Sequence, residues 1–172
     1  FLQKFVEPAK WFQSRIKYSS TLAVMSMVGY IIGLGDRHGE NFMLDSRNGE
    51  VVHIDLSMLF EKGKMLPIPE KVPFRLTHNM VDALGLTGVE GMFRRSCEIT
   101  MNICRQNKIL LMTVLQTFIN DPLVEWNKKN SSRSDSKAEN ENSRAIEQME
   151  CIERKLDGYV NNDKQPLNIS AQ

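Results

Sequence analysis

The sequence predicts a mostly helical α+β fold with one small β-hairpin. Apolar residues recur at helical spacing through most of the chain. Only one pair of strand-like runs interrupts them, Phe42-Met43-Leu44 and Val51-Val52-His53-Ile54, around an Asn48-Gly49 turn signal. An aperiodic stretch from Asp55 to Thr77, holding Pro67, Pro69 and Pro73, separates the hairpin from the later helices. A loop of that length inside a compact domain usually carries function.

Ser20 to Leu34 reads as a helix apolar nearly all round, which places it in a core. Ser19, Ser20 and Thr21 are its N-cap candidates, and Gly33 and Gly35 end it. Next comes the polar run Gly35-Asp36-Arg37-His38-Gly39-Glu40-Asn41. Hydrophilic residues set against a buried helix predict a functional loop. After the hairpin and the long loop, a short helix covers Asn79 to Leu84 and stops at Gly85. A longer one covers Glu90 to Gln106, with Met92, Phe93, Cys97, Thr100, Met101 and Cys104 on its apolar stripe. Ile109 to Ile119 is another helix, stopped before Asp121-Pro122. From Asn127 to Arg144 the only apolar residue is an alanine, the composition of a flexible linker. A last amphipathic helix follows, with Ile146, Met149, Ile152, Leu156 and Val160 at helical spacing.

The bulk numbers narrow the function. With 172 residues the chain can build a real core. Its 22 basic and 21 acidic residues balance to a net charge of +1, which argues against a dedicated nucleic-acid surface. Cys97, Cys104 and Cys151 are odd in number and lack metal-like spacing, so no disulfide framework is expected and a reducing compartment is. Cys97 and Cys104 read as small buried hydrophobes. The apolar run from Leu22 to Leu34 is too short for a bilayer of about 30 Å, and no membrane association is expected. The chain opens at Phe1 without a leader and is expected to be one piece of a longer protein.

The hairpin gathers the chemistry. With Asn48-Gly49 as a two-residue turn, Phe42 faces Asp55 and Asn41 faces Leu56, and facing positions lie about 5 Å apart. A slip of one or two residues keeps the neighbourhood. Asp36 lies five residues before Asn41 in the same loop, so Asp36, His38, Asn41 and Asp55 are expected to converge. Asn41 and Asp55 offer the hard oxygen ligands that magnesium prefers. Asp36 suits orienting or deprotonating an attacking hydroxyl. His38 suits donating to a moving phosphoryl group or acting as the base. Arg37 suits holding the loop through its carbonyls or an acidic neighbour. His53, inside a strand, reads as a satisfied core histidine. A transition-metal site from His38, His53, Asp36 and Asp55 is the weaker alternative, because no two of them have zinc-ligand spacing.

Asp36-Arg37-His38-Gly39-Glu40-Asn41 followed by His53-Ile54-Asp55 resembles the catalytic core of the phosphatidylinositol-3-kinase-related kinases (PIKKs). Ordinary protein kinases carry H-R-D-x-x-x-x-N and then D-F-G. Here the histidine follows the aspartate, and Leu56-Ser57 stands for Phe-Gly. Val72-Pro73-Phe74-Arg75-Leu76-Thr77 resembles the end of the activation loop in the protein-kinase branch. Met27-Val28-Gly29-Tyr30, Gly39-Glu40, Leu76-Thr77-His78-Asn79-Met80 and Asp121-Pro122-Leu123-Val124-Glu125-Trp126 are similar to the ATR-type checkpoint branch.

The resemblance implies the C-terminal lobe of a PI3/PI4-kinase-like protein kinase over residues 1–126, with a catalytic loop at 35–41 and an activation loop at 55–77. Residues 127–144 would be a linker, and 145–172 the start of the regulatory region before a FATC motif that is absent here. It implies a nuclear serine/threonine kinase of the DNA-damage and replication checkpoint, using ATP and Mg2+ or Mn2+, with a preference for Ser or Thr followed by Gln. It also implies an obligate interacting partner subunit, of the kind that ATR has, that recruits the kinase to coated single-stranded DNA. On the family pattern Asp36 and His38 are catalytic, and Asn41 and Asp55 bind metal and nucleotide. Pro73, Phe74 and Arg75 would lie in the segment that receives the peptide. No glycine-rich phosphate loop and no strand lysine is present, so the 172-residue chain alone is expected to lack kinase activity. A lipid kinase is the alternative within the superfamily, although Glu61, Lys62, Lys64, Glu70 and Lys71 alternate in sign and form no basic box. A pseudokinase scaffold is the alternative outside enzymes, and it would need the loss of Asp36, Asn41 or Asp55. Ser131, Ser132, Ser134, Ser136 and Ser143 are candidate regulatory phosphorylation sites.

Overall fold

A computed structural model describes residues 1, 3–119, 135–160 and 165–172. The chain divides into two compact units, Phe1–Asn102 and Ile103–Gln172.

The first unit is built on the helix α1, Pro8–Ile32. It starts twelve residues before the expected position, and Pro8 explains why. Proline at the first helical turn loses no hydrogen bond, because that N–H has no partner inside the helix. Glu7 before it is extended. Ser19 and Thr21, expected as caps, sit inside the helix. Their hydroxyls donate back to Arg15 O at 2.9 Å and Lys17 O at 2.7 Å, which satisfies them without ending the helix. Leu22, Ala23, Met27 and Ile31 are buried, whereas Val24 and Val28 are exposed, so one side of α1 faces outward in this chain. Gly33 ends the helix at φ 64°. Its N–H donates to Tyr30 O, and that of Leu34 to Gly29 O at 2.8 Å, a Schellman closure.

A single turn of 3₁₀ helix at Gly39–Asn41 leads into the strands β1, Phe42–Leu44, and β2, Val51–His53. They pair antiparallel with Phe42 facing His53, Met43 facing Val52 and Leu44 facing Val51. This corrects the expected register, in which Phe42 faced Asp55. The turn is longer than two residues because Asp45 organises it. Its carboxylate accepts Arg47 N–H at 2.9 Å, its carbonyl accepts Gly49 N–H at 2.8 Å, and its N–H reaches Glu50 O at 2.9 Å. A carboxylate bonding the N–H two residues on is an Asx turn, and it displaces the tight hairpin geometry.

The hairpin is fastened to α1. Val51 N–H donates to Thr21 Oγ1 at 2.9 Å. Gly49 sits at φ 80°, and a Cβ there would lie 3.0 Å from Phe1 Cε1 and 3.1 Å from Ser14 O. Gly49→Ala therefore carries both strain and backbone contact, costing about 1–2 kcal/mol. Amide exchange across β1 and β2 in the complete protein should accelerate about five- to thirtyfold; unchanged exchange would show that the turn tolerates a side chain.

Helix α2, His78–Leu84, is tied to α1 by Tyr18, whose hydroxyl donates to Met80 O at 3.2 Å. The core joins Tyr18, Leu22, Ala23, Val51, Leu84 and Phe93, with Phe42, Phe74 and Leu76 packed against it. Helix α3, Met92–Gln106, begins two residues later than expected and buries Phe93 and Met101. Met92, placed on the apolar stripe by the sequence, is exposed. Cys97 and Cys104 are half-buried. Burial and Glu98 push the Cys97 thiol up to about 11, and burial raises that of Cys104. The thiolate is the reactive form, so at pH 8 neither should be alkylated by iodoacetamide in the folded protein on a timescale that labels both after unfolding. Labelling of Cys97 at the rate of a free thiol would contradict its burial.

In the second unit, α4, Lys108–Ile119, packs against α5, Asp135–Leu156. Lys108 Nζ bridges Glu153 at 2.9 Å and Asp157 at 2.7 Å. α5 begins inside the stretch expected as a linker, so that stretch is helical from Asp135. Residues 127–134 of it, with Ser131, Ser132 and Ser134, lie outside the described residues, and so do the side chains of Ser136 and Ser143. Among the described residues no helix is long and apolar enough to cross a membrane.

Candidate active site

The site is assembled where the chain leaves α1. Gly35 N–H donates to Met58 O at 2.8 Å, Phe60 N–H to Ile32 O at 3.0 Å and Glu61 N–H to Gly33 O at 2.9 Å. The catalytic loop expected at 35–41 and the stretch after Asp55 thus run side by side at the end of α1. Ile54 N–H continues the contact to Asn41 O at 3.1 Å.

Arg37 locks the two together. Only 7% exposed, its guanidinium donates to Gly35 O at 2.9 Å, Ile54 O at 2.7 Å and Asp55 O at 2.5 Å. Of the two roles read from the sequence, it takes the carbonyl-holding one. The planar fork of arginine suits three acceptors on two stretches of chain, Gly35 on one and Ile54 and Asp55 on the other.

Around this centre the expected residues come together. Asp36 and Asp55 both adopt left-handed backbone, at φ 56° and 59°. Aspartate tolerates that region better than most residues, and such conformations gather at functional sites. Asn41 is 4% exposed, and its amide nitrogen donates to Asp36 O at 2.6 Å. Its amide oxygen receives no hydrogen bond among the described residues. Asp36 keeps its carboxylate 45% exposed, with His38 Nε2 4.0 Å from Oδ2. Asp55 is exposed. Hydrogen bonding from Ser57, including its N–H at 3.0 Å, holds the Asp55 carboxyl below the usual carboxylate range, helped by Arg37 and His38.

Asn41 and Asp55 fit a divalent cation of the magnesium type. Asn41 is tied by its nitrogen, which leaves the oxygen as its ligating end, and Asp55 is held ionised. Among the described residues no group of three or more His, Cys, Asp and Glu side chains is placed to hold a metal. Two protein oxygens suit magnesium, which takes its other ligands from water and phosphates. His53 departs from the expectation of a satisfied core histidine. Both ring nitrogens are buried without a hydrogen-bond partner among the described residues, its ring meets Phe42 edge-on at 4.4 Å, and burial, with Arg37 nearby, lowers its pKa to about 4. It is neutral at physiological pH.

The three residues expected to face a peptide differ from one another. Pro73 is exposed. Phe74 is half-buried against the core and anchors the segment. Arg75 donates from Nη1 to Arg37 O at 3.2 Å, so it braces the loop at 35–41. One residue the sequence reading counted only among alternating charges enters the site. The Glu70 carboxylate accepts Asp36 N–H at 2.7 Å. No local pattern marks it; its seat exists because Gly35 and Gly63 lie in loops that the fold presses together.

The family profile for phosphatidylinositol 3- and 4-kinase matches residues 1–128. The chain belongs to that family. Within this kinase family it is 51% identical over 172 residues to protein kinase rad3 of Schizosaccharomyces pombe, covering 100% of this chain and 7% of rad3. It is 54% identical over 160 residues to the serine/threonine-protein kinase ATR of Arabidopsis thaliana, covering 93% of this chain and 6% of that protein. The solved FAT and kinase domain of CtTel1 superposes with a TM-score of 0.82 at 42% identity, over 99% of this chain and 11% of that one. The mostly helical fold with its two-stranded sheet is that of the kinase C-lobe. The chain spans about a fifteenth of the length of these curated relatives.

Proposed function

We propose that the chain is the catalytic C-terminal lobe of a checkpoint serine/threonine protein kinase. The kinase transfers the γ-phosphate of ATP to Ser or Thr followed by Gln. The observation that carries the reading is the gathering of Asp36, Asn41 and Asp55 around the buried Arg37, in a chain of this family. The Asp36 carboxylate, half-exposed and without a hydrogen bond among the described residues, takes the proton of the acceptor hydroxyl. His38, beside it, donates to the transferring phosphoryl oxygen. Asn41 and Asp55 would hold magnesium or manganese, which would neutralise charge on the nucleotide phosphates. Pro73 and Arg75 border the peptide. The likeness of its motifs to the ATR-type branch is the ground on which we extend the proposal to a nuclear checkpoint role, with a partner subunit that brings the kinase to coated single-stranded DNA.

The acceptor decides between branches of the family. The complete kinase is offered ATP with a Ser-Gln peptide, its Ser-Ala counterpart and a phosphoinositide. Label is expected on the Ser-Gln peptide alone. Label on the lipid would move the chain to the lipid branch, and no label on any acceptor would leave a scaffold.

A further inference from the structure

We propose that Glu70 is a positioning residue for Asp36, through which the activation segment sets the catalytic carboxylate. The inference rests on the reading of Asp36 as the proton acceptor. Asp36 is held on both flanks of its left-handed backbone. Asn41 grips its carbonyl oxygen at 2.6 Å, and Glu70 Oε1 grips its N–H at 2.7 Å. The carboxylate between these grips receives no hydrogen bond among the described residues, so its aim depends on the backbone. Glu70 is 34 residues away along the chain, in the segment expected to receive the peptide.

The seat of Glu70 is built for it. A Cβ on Gly35 would lie 2.5 Å from Glu70 Oε2 and 2.9 Å from Gly63 Cα. A Cβ on Gly63 would collide with the same oxygen. Two glycines therefore leave the notch that the carboxylate fills. Glu70 N–H also returns to Gly63 O at 3.3 Å, which closes residues 63–70 into a loop. Arg75, five residues on, holds the next carbonyl of the catalytic loop, that of Arg37. A shift of the activation segment thus rotates the Asp36 peptide. Misplacing a reacting group by about 1 Å costs on the order of 10²-fold in rate.

The test uses the complete kinase with a Ser-Gln peptide, and separates reach from charge. Glu70→Asp keeps the charge and falls one methylene short. It should lower kcat about ten- to a hundredfold, with KM for ATP and peptide within about twofold. Glu70→Gln keeps length and an acceptor oxygen, and should stay within about threefold of wild type. Gly63→Ala displaces the carboxylate and should reproduce Glu70→Asp; it is the deciding variant if Glu70→Asp does not accumulate. Wild-type kcat in Glu70→Asp, or a raised peptide KM at constant kcat, would overturn the proposal. So would a Glu70→Gln as slow as Glu70→Asp. Asp36→Asn is run alongside. If it stays active, the catalytic reading itself fails; if it is inactive while Glu70→Asp is not, only the positioning role fails.

Discussion

Asp36→Asn in the complete kinase should lower kcat by about 10²–10⁴-fold, the range that a positioned general base contributes. ATP affinity should change little. Asparagine is the informative replacement because it disturbs least. It tolerates the left-handed φ of 56° that Asp36 adopts. The bonds to Glu70 and Asn41 run through the backbone of Asp36 and survive the change. What disappears is the basic oxygen. A kcat within about threefold of wild type would remove Asp36 from the proton transfer and leave His38 as the base, the other assignment its chemistry allows.

Arg37→Leu should cost about 4 kcal/mol or more of local stability, since hydrogen bonds to a charged donor contribute about 1.5–3 kcal/mol each. Three carbonyls, those of Gly35, Ile54 and Asp55, lose their donor at once. Leucine fills part of the volume and satisfies none of them. Amide exchange at residues 35–41 and 54–57 should rise by about 10³-fold, at tenfold per 1.4 kcal/mol. Arg37→Lys should fall between, because an ammonium lacks the planar fork. Wild-type protection in Arg37→Leu would show that the backbone contacts at Gly35, Phe60 and Glu61 suffice to join the loops.

Much of this site was legible in the sequence. Asp36, Arg37, His38 and Asn41 lie within six residues, and the two strand-like runs fold Asp55 back toward them. The register was not legible. Asn48-Gly49 signals a tight turn, but the Asx turn at Asp45 is set by a side-chain oxygen, and this shifted the pairing by two residues. The start of α1 was missed because Ser19 and Thr21 look like caps. Their back-bonds to Arg15 and Lys17 exist only once the helix is formed around them. Glu70 was invisible for another reason. Nothing local marks it, and its place beside Asp36 follows from Gly35 and Gly63 meeting in space. Phe74 and Arg75 were read as peptide contacts; one is held by the core and the other by the Arg37 carbonyl. These are tertiary choices that periodicity and spacing do not encode.

The central claim is that Asp55 and Asn41 form the metal side of a phosphoryl-transfer centre and Asp36 its proton side. The most direct test titrates Mg2+ against ATP binding and phosphate transfer in the complete kinase, for wild type, Asp55→Ala and Asp36→Asn. The account predicts that Asp55→Ala abolishes transfer and raises the Mg2+ requirement for ATP binding about tenfold or more, the loss of at least 1.4 kcal/mol of metal binding. Asp36→Asn should slow transfer by about 10²–10⁴-fold with the Mg2+ requirement unchanged. An Asp55→Ala kinase that binds ATP with wild-type metal dependence and still transfers phosphate would contradict it.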